Sequence, residues 1–302
     1  HTRCSRDWSS DVCSSDLVDT ALWDIRGKRA GQSVQRLLGG TVSEFPVYAS
    51  SMKREITPQQ EAERMLALRE QFGYHSFKFR VARECGHDVD QWPGRTEEIV
   101  KTMRETLGDD VTLMVDANSG YTPKKAIEVG RLLADYGISH YEEPCPYWEL
   151  DWTREVTSAL DIDVTGGEQD NNMIVWKQMI DTHAVDIVQP DICYMGGITR
   201  TLQVANYAKQ AGIPCTLHSA NLSLVTLFSV HFMAAIENAG KYVEFSIEGS
   251  DYYPWQNNIF TPEFEIKNGN VMISDKPGWG IEINPEWIAL SDYRISYTGS
   301  RF

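Results

Sequence analysis

The sequence lacks the features that would place it in a membrane, in a secretory pathway or on nucleic acid. It contains no run of eighteen apolar residues, the length that a membrane-spanning helix needs. No charged segment is followed by the apolar core of a secretory signal. Basic residues are few, since 28 Lys and Arg stand against 43 Asp and Glu, for a formal net charge of −15. A net anion repels phosphate backbones, so we expect neither nucleic acid nor a membrane as a partner.

Paired cysteines and the common nucleotide and zinc motifs are also missing. No two cysteines form a CxxC pair, and neither GxxxxGK[ST] nor HExxH occurs. Single cysteines of this kind are typical of reduced thiols, so we expect a cytoplasmic protein without a disulfide framework or a zinc site. The six cysteines are Cys4, Cys13, Cys85, Cys145, Cys193 and Cys215.

The first seventeen residues differ from the rest of the chain. Ser-Ser-Asp occurs twice in residues 1–17, and the segment has no apolar period of a helix or a strand. An amphipathic helical pattern begins abruptly at Val18. We interpret residues 1–17 as a non-native scar that replaces upstream residues of a truncated protein, with a disordered terminus as the alternative.

From Phe45 onward, short β-branched runs alternate with amphipathic stretches, and Gly or Pro marks the joints. Such alternation predicts parallel strands joined by helices, and eight strands in 302 residues favour a closed α/β barrel. A doubly wound sheet is the alternative, but no Gly-rich phosphate turn follows the first strand. The predicted strands are 46–50, 77–81, 112–118, 139–143, 163–169, 186–191, 214–219 and 242–247. Examples of the predicted helices are 57–72, 96–107, 123–136 and 198–211.

One ionisable residue recurs at the end of successive predicted strands. The intervals between these residues are 26, 26, 23, 27 and 26, which is about the length of one strand–helix unit. In a barrel those strand ends meet at one mouth, where active sites are built. The residues are Asp116, Glu142, Glu168, Asp191, His218 and Glu244.

The first three of these residues predict a metal site. Asp116, Glu142 and Glu168 are carboxylates on consecutive strands, and such oxygens suit Mg²⁺. A structural ion pair is the alternative for each carboxylate alone, but their even spacing favours one shared cation.

Two further groups point to proton chemistry and anion binding. Asp191 and His218 lie on consecutive strands, where a carboxylate can orient an imidazole as a general base or acid. Lys78 and Arg80 alternate along their strand, so both should point into the mouth. We give no functional role to His1, His75, His87, His140, His183 and His231.

These motifs together resemble the enolase superfamily and its mandelate racemase subgroup over residues 18–285. The order and spacing of the matching pieces make the resemblance specific. The pieces are residues 21–28, Lys78-x-Arg80, Asp116-Ala117-Asn118, Glu142-Glu143-Pro144, Gly167-Glu168, Gln189-Pro190-Asp191, residues 196–199, His218-Ser219 and residues 277–281.

The resemblance implies a (β/α)7β barrel with Mg²⁺ bound by Asp116, Glu142 and Glu168. It implies that Asp191 and His218 move protons on one face of the substrate. Lys78 would neutralise the substrate carboxylate, and Glu244 would hydrogen-bond to it. It further implies that residues 18–45 are the remnant of an N-terminal α+β capping domain, that 46–250 form the barrel and that 251–302 return toward the cap.

The resemblance also sets the expected reaction. Relatives with a second lysine can place a base on each face, but Arg80 stands at that position and is a poor proton acceptor. We therefore expect a dehydratase that converts a sugar acid, an aldonate or an aldarate, to a 2-keto-3-deoxy acid. The alternatives are a racemase or epimerase of a 2-hydroxy acid and an inactive truncated barrel fragment. Assembly into a homo-oligomer stays open.

Overall fold

The computed structural model describes residues 12–256 and 258–290, in which strands and helices alternate through most of the chain. The helices are α1 (Val12–Ala30), α2 (Val34–Leu37), α3 (Pro58–Phe72), α4 (Arg95–Leu107), α5 (Pro123–Asp135), α6 (Leu150–Ala159), α7 (Met173–Asp181), α8 (Ile192–Met195), α9 (Ile198–Gln210), α10 (Leu224–Met233) and α11 (Pro285–Leu290). The strands are β1 (Glu44–Ser50), β2 (Ser76–Arg80), β3 (Thr112–Asp116), β4 (Ile138–Glu142), β5 (Asp163–Gly166), β6 (Ile187–Val188), β7 (Val243–Ser246), β8 (Phe260–Thr261), β9 (Ile266–Lys267), β10 (Asn270–Met272) and β11 (Glu282–Ile283).

The central sheet is parallel and curls back on itself, because β1 pairs with both β2 and β7. From β2 the strands follow in chain order to β6. Arg80 lies level with Asp116, and Asp116 lies level with Glu142. The predicted parallel α/β architecture is confirmed, and its strand ends carry the site residues to one edge.

The seventh predicted strand, 214–219, is the main correction to the strand assignment. Only Cys215 pairs there, in single bridges to Val188 and Ala239, and these bridges join β6 to the residues before β7. Thr216 N donates to Val188 O at 2.9 Å, but Pro190 and Pro214 have no N–H to donate. The ladder is therefore incomplete, but Val188 N donates to Pro214 O at 3.0 Å and His218 N donates to Pro190 O at 3.2 Å, so the segment still occupies a strand position.

The other predicted elements agree with the structure except at their ends. Helix α3 begins after Thr57, whose side chain accepts from Gln60 N in a capping box, and ends at Gly73 with a φ of 72°. Strands β5 and β6 end at Gly166 and Val188, so the predicted strands 163–169 and 186–191 are too long at their carboxyl ends.

Helix α1 begins at Val12, six residues before the predicted start. It packs against α8 and α9, as expected for the helix over 18–27. Thr20 Oγ1 donates to Asp16 O at 2.8 Å inside the helix. Once the packed part of a helix has formed, the helix can extend into a polar sequence that has no apolar period of its own. This explains why α1 starts earlier than predicted. Residues 1–11, the larger part of the predicted scar, lie outside the described residues.

The C-terminal segment contacts both the barrel and helix α1, which precedes the barrel in the chain. Trp279 Nε1 donates to Thr20 O at 3.0 Å, and Trp279 N donates to Asp24 Oδ1 at 3.0 Å. Strand β10 pairs antiparallel with β1. Residues 291–302 lie outside the described residues, and the division into cap remnant and barrel stays a prediction.

Two further observations concern the predictions made for membrane helices and for the cysteines. Among the residues described, no helix has both the length and the apolar composition to cross a membrane. Cys145 and Cys215 are buried free thiols, and burial raises the pKa of each.

A buried histidine of α10 should make stability fall in mild acid. His231 Nδ1 accepts from Gln35 N at 3.2 Å, and burial lowers the pKa of His231 to about 4. The unfolded chain binds this proton at its ordinary pKa of 6.5, so stability should drop as pH falls from 6.5 toward 4. Between pH 7 and pH 5 the loss should be about 2 kcal/mol.

Urea denaturation of the wild type and of His231→Asn at both pH values measures this loss. Asn keeps an acceptor for Gln35 N but binds no proton, so its stability should change less with pH than that of the wild type. His183→Asn removes an exposed histidine and is the control. Equal pH dependence in the wild type and His231→Asn would contradict the assignment.

Candidate active site

Three buried carboxylates meet where β3, β4 and β5 end. Asp116 and Glu142 are the last residues of β3 and β4, and Glu168 lies in the turn two residues after β5. Each offers an oxygen within 4.8 Å of the others, and all three side chains are buried. The structure thus brings the three predicted metal ligands together.

Neighbouring donors fix each of these carboxylates. Asn118 donates to Asp116 through its backbone N at 2.7 Å and its Nδ2 at 3.1 Å. Gln189 Nε2 donates to Glu142 Oε2 at 2.9 Å. Gln169 Nε2 donates to Glu168 Oε1 at 2.8 Å. Since the carboxylates are held in place by the fold, the cluster is organised before any ligand binds.

The donor set fits Mg²⁺. This ion prefers hard oxygen ligands in octahedral geometry, so three protein carboxylates would leave its other positions for water and substrate oxygens. Burial alone would raise the pKa of Glu142, but the charge of Lys78 and a hydrogen bond from His140 lower it well below the ordinary value. Glu142 is therefore ionised, as a magnesium ligand must be.

Lys78 is the central cation of the site. Its side chain is fully buried, with Nζ 2.7 Å from Glu142 Oε2 and 2.8 Å from Glu244 Oε1. Burial would lower the pKa of Lys78, but the charges of Glu142 and Glu244 outweigh it and raise the pKa. The side chain is therefore a cation poised beside the carboxylate cluster.

Glu244 joins the site from within a strand and not from a strand end. It is the second residue of β7, where the sequence predicted a terminal position. Ser50 Oγ donates to Oε1 and Ser219 N donates to Oε2, both at 2.7 Å. Burial would raise the pKa of Glu244, but the charges of Lys78 and His218 lower it to about 2.

Asp191 and His218 form the predicted dyad. His218 Nδ1 lies 2.8 Å from Asp191 Oδ2, and His218 Nε2 lies 3.3 Å from Glu168 Oε2. Asp191 caps α8, because its Oδ1 accepts from Cys193 N and Tyr194 N. Burial would lower the pKa of His218, but Glu168, Asp191 and Glu244 together raise it to about 9. The second ring nitrogen thus faces the carboxylate cluster.

Arg80 points into the same mouth as Lys78, as predicted from their alternation. Its Nε donates to Ser51 O at 2.7 Å, and its Nη1 donates to Asn118 Oδ1 at 2.9 Å and contacts Asp116. The Arg80 guanidinium thus contacts Asp116, one of the candidate metal ligands, and the loop after β1.

A cavity of about 750 Å³ opens beside the dyad. Asp191, Tyr194 and His218 line it from the barrel side, and Thr20 and Trp279 line it from α1 and the C-terminal segment. A cavity of this size accommodates a small organic substrate.

Sequence reasoning missed the roles of two residues that contact Glu142. His140 was given no functional role, but its Nε2 lies 3.4 Å from Glu142 Oε2 and 3.0 Å from Thr165 Oγ1. Alternation along β4 could have revealed it, since residues 140 and 142 share one face. Gln189 matched a motif, but its contact with Glu142 spans 47 residues and leaves no local signal.

A family model and curated relatives match this chain over most of its length. The model described as Enolase C-terminal domain-like matches residues 60–287. Arabinonate dehydratase from Saccharolobus solfataricus is 31% identical over 88% of this chain and 68% of its own length. D-galactarolactone cycloisomerase from Agrobacterium fabrum is 32% identical over 92% of this chain and 73% of its own length.

Solved structures agree with this relationship. A provisionally named racemase from Roseobacter denitrificans is 59% identical, with a TM-score of 0.92 over 93% of this chain and 77% of its own. A mandelate racemase/muconate lactonizing protein from Paracoccus denitrificans, solved with magnesium, is 31% identical, with a TM-score of 0.82 over 90% of this chain and 73% of its own. Magnesium in such a relative agrees with the metal predicted from the carboxylates.

Proposed function

Because the chain belongs to the Enolase C-terminal domain-like family, we propose that it is a magnesium-dependent sugar-acid dehydratase. It removes water from an aldonate or aldarate to give a 2-keto-3-deoxy acid. The contact between His218 Nε2 and Glu168 carries this proposal, because it places one oriented imidazole against the carboxylate cluster. Arg80 stands where a second base would be needed for inversion.

The metal and Lys78 have related electrostatic roles. Mg²⁺ held by Asp116, Glu142 and Glu168 would supply positive charge to the substrate carboxylate when bound. Lys78 adds a fixed cation in a buried site, where charge is screened less than in water. The resemblance implies a hydrogen bond from Glu244 to the substrate carboxylate, but Glu244 is ionised and has no proton to donate to that group. It accepts from Ser50, Lys78 and Ser219, so we assign it the role of holding Lys78 toward the substrate.

The dyad moves the proton in two steps. The neutral imidazole of His218 is a minor form at neutral pH, because the pKa is raised to about 9, and in this form Nε2 takes the proton from the carbon next to the substrate carboxylate. The electron pair of that C–H bond becomes part of the enolate. The enolate then expels the β-hydroxyl group, which leaves as water with the proton from His218. Asp191 holds the ring through Nδ1 during both steps, and its own position is fixed by the start of α8. The enol product tautomerises to the keto acid.

A racemase or epimerase is the second candidate, because the Roseobacter denitrificans relative carries a racemase name. That reaction needs a group that exchanges protons on the opposite face, and an arginine held by Ser51, Asn118 and Asp116 is poorly suited to that role.

A screen of aldonic and aldaric acids tests the two candidates. We expect at least one acid to yield a keto acid in the presence of Mg²⁺, with no product after chelation. In D₂O, exchange of the α proton without keto acid would favour an epimerase and contradict dehydration. Absence of product, of exchange and of magnesium binding would contradict both candidates.

A further inference from the structure

Two guanidinium groups lie side by side at the mouth, and Asp116 pairs with only one of them, Arg80. Arg54, in the loop after β1, donates through Nη2 to Asn118 Oδ1. Arg80 donates through Nη1 to the same oxygen at 2.9 Å. One neutral amide oxygen therefore accepts from both cations, and it does not neutralise the charge of Arg54.

The positive charge of Arg54 is not paired with a carboxylate in the described part of the chain. Among residues 12–256 and 258–290, Arg54 forms no ion pair, and its buried Nε has no hydrogen-bond partner. Burial and the charge of Arg80 lower the pKa of Arg54 to about 9, and exposed Glu84 opposes this only in part. The side chain is still a cation at neutral pH. Asp116 is already occupied by Arg80 and belongs to the proposed metal cluster.

The loop that carries Arg54 is anchored on both sides. Met52 N donates to Glu248 Oε1 at 2.8 Å, and Arg64 Nη2 donates to Ser51 Oγ at 2.6 Å. A fixed backbone lowers the entropic cost of placing the guanidinium, as expected for a binding group.

We infer that Arg54 forms a subsite for a second acid group of the substrate, so that the substrate is a dicarboxylic sugar acid. The inference rests on the proposed function, which places the reacting carboxylate at Lys78. Arg80 lies two residues beyond Lys78 on β2, about 7 Å along the strand. An aldarate can place its second carboxylate near Arg54, whereas an aldonate would place a neutral hydroxyl there. The planar guanidinium fork suits a carboxylate.

Calorimetric binding of matched acids, with Mg²⁺ present, tests the inference on the whole chain. The pairs are galactarate with galactonate and glucarate with gluconate. We expect the wild type to bind one diacid about 10- to 100-fold more tightly than its monoacid, the usual range for a charge-assisted hydrogen bond. Arg54→Gln should reduce that ratio to about threefold or less, and Arg54→Lys, which keeps the charge without the fork, should retain part of it.

Lys53→Gln is the matched control, because it removes a positive charge from the same loop. Lys53 pairs with Asp251 at 3.1 Å and should leave the ratio unchanged. Equal binding of diacid and monoacid, no binding of either, or an unchanged ratio in Arg54→Gln would overturn the inference. Tighter binding of 6-phosphogluconate than of both diacids would also overturn it, because the subsite would then select a phosphate.

The same measurements separate this inference from the proposed function. A diacid preference that depends on Arg54, without keto acid from any substrate, would support the subsite and contradict dehydration. Keto acid formed from monoacids, with the ratio unaffected by Arg54→Gln, would support dehydration and contradict the subsite.

Discussion

Replacement of His218 by Asn should lower the rate of sugar-acid dehydration by at least about two orders of magnitude, the usual contribution of a general base. Asn keeps polarity and similar size, but it cannot accept the α proton or return it to the departing hydroxyl. His218 is the imidazole that a carboxylate orients toward the cluster, with Asp191 at 2.8 Å and Glu168 at 3.3 Å. Keto-acid formation and α-proton exchange in D₂O should therefore fall together.

His183→Asn is the control for this loss, because it makes the same substitution at an exposed site on the turn before β6. It should retain the wild-type rate. A near-normal rate in His218→Asn would place the base elsewhere. Loss of α-proton exchange only in Arg80 variants would place the chemistry on the opposite face of the substrate.

The fold was predictable where strand and helix periods are local properties of the chain. Lys78 and Arg80 alternate with Phe77 and Phe79 on β2, and this alternation alone predicted that both cations point inward. The irregular seventh strand position was harder to predict, because Pro190 and Pro214 lack the N–H groups that would donate between the two facing segments. The pattern of apolar and polar residues gives no sign that backbone N–H donors are missing.

The candidate site was predictable where the repeat length places one ionisable group in each unit. Asp116, Glu142 and Glu168 were found in this way, and the structure brings them together. Arg54 could not be found, because its loop has no period and its importance comes from sharing Asn118 with Arg80. Local rules find residues on regular elements, whereas contacts made by loops depend on the complete fold.

The largest effect on metal binding is expected at Glu168. Glu168→Gln should weaken Mg²⁺ binding by more than the roughly 10- to 100-fold typical of residues that only support a ligand, because it removes one of three anionic ligand candidates. The amide keeps the shape of the side chain, so the fold should survive. Isothermal calorimetry with Mg²⁺ measures the affinity, and circular dichroism checks the fold.

Glu128→Gln removes the same charge from an exposed position on α5 and should bind Mg²⁺ like the wild type. Unchanged affinity in Glu168→Gln would mean that Asp116 and Glu142 hold the ion without it, and that Glu168 serves His218 alone.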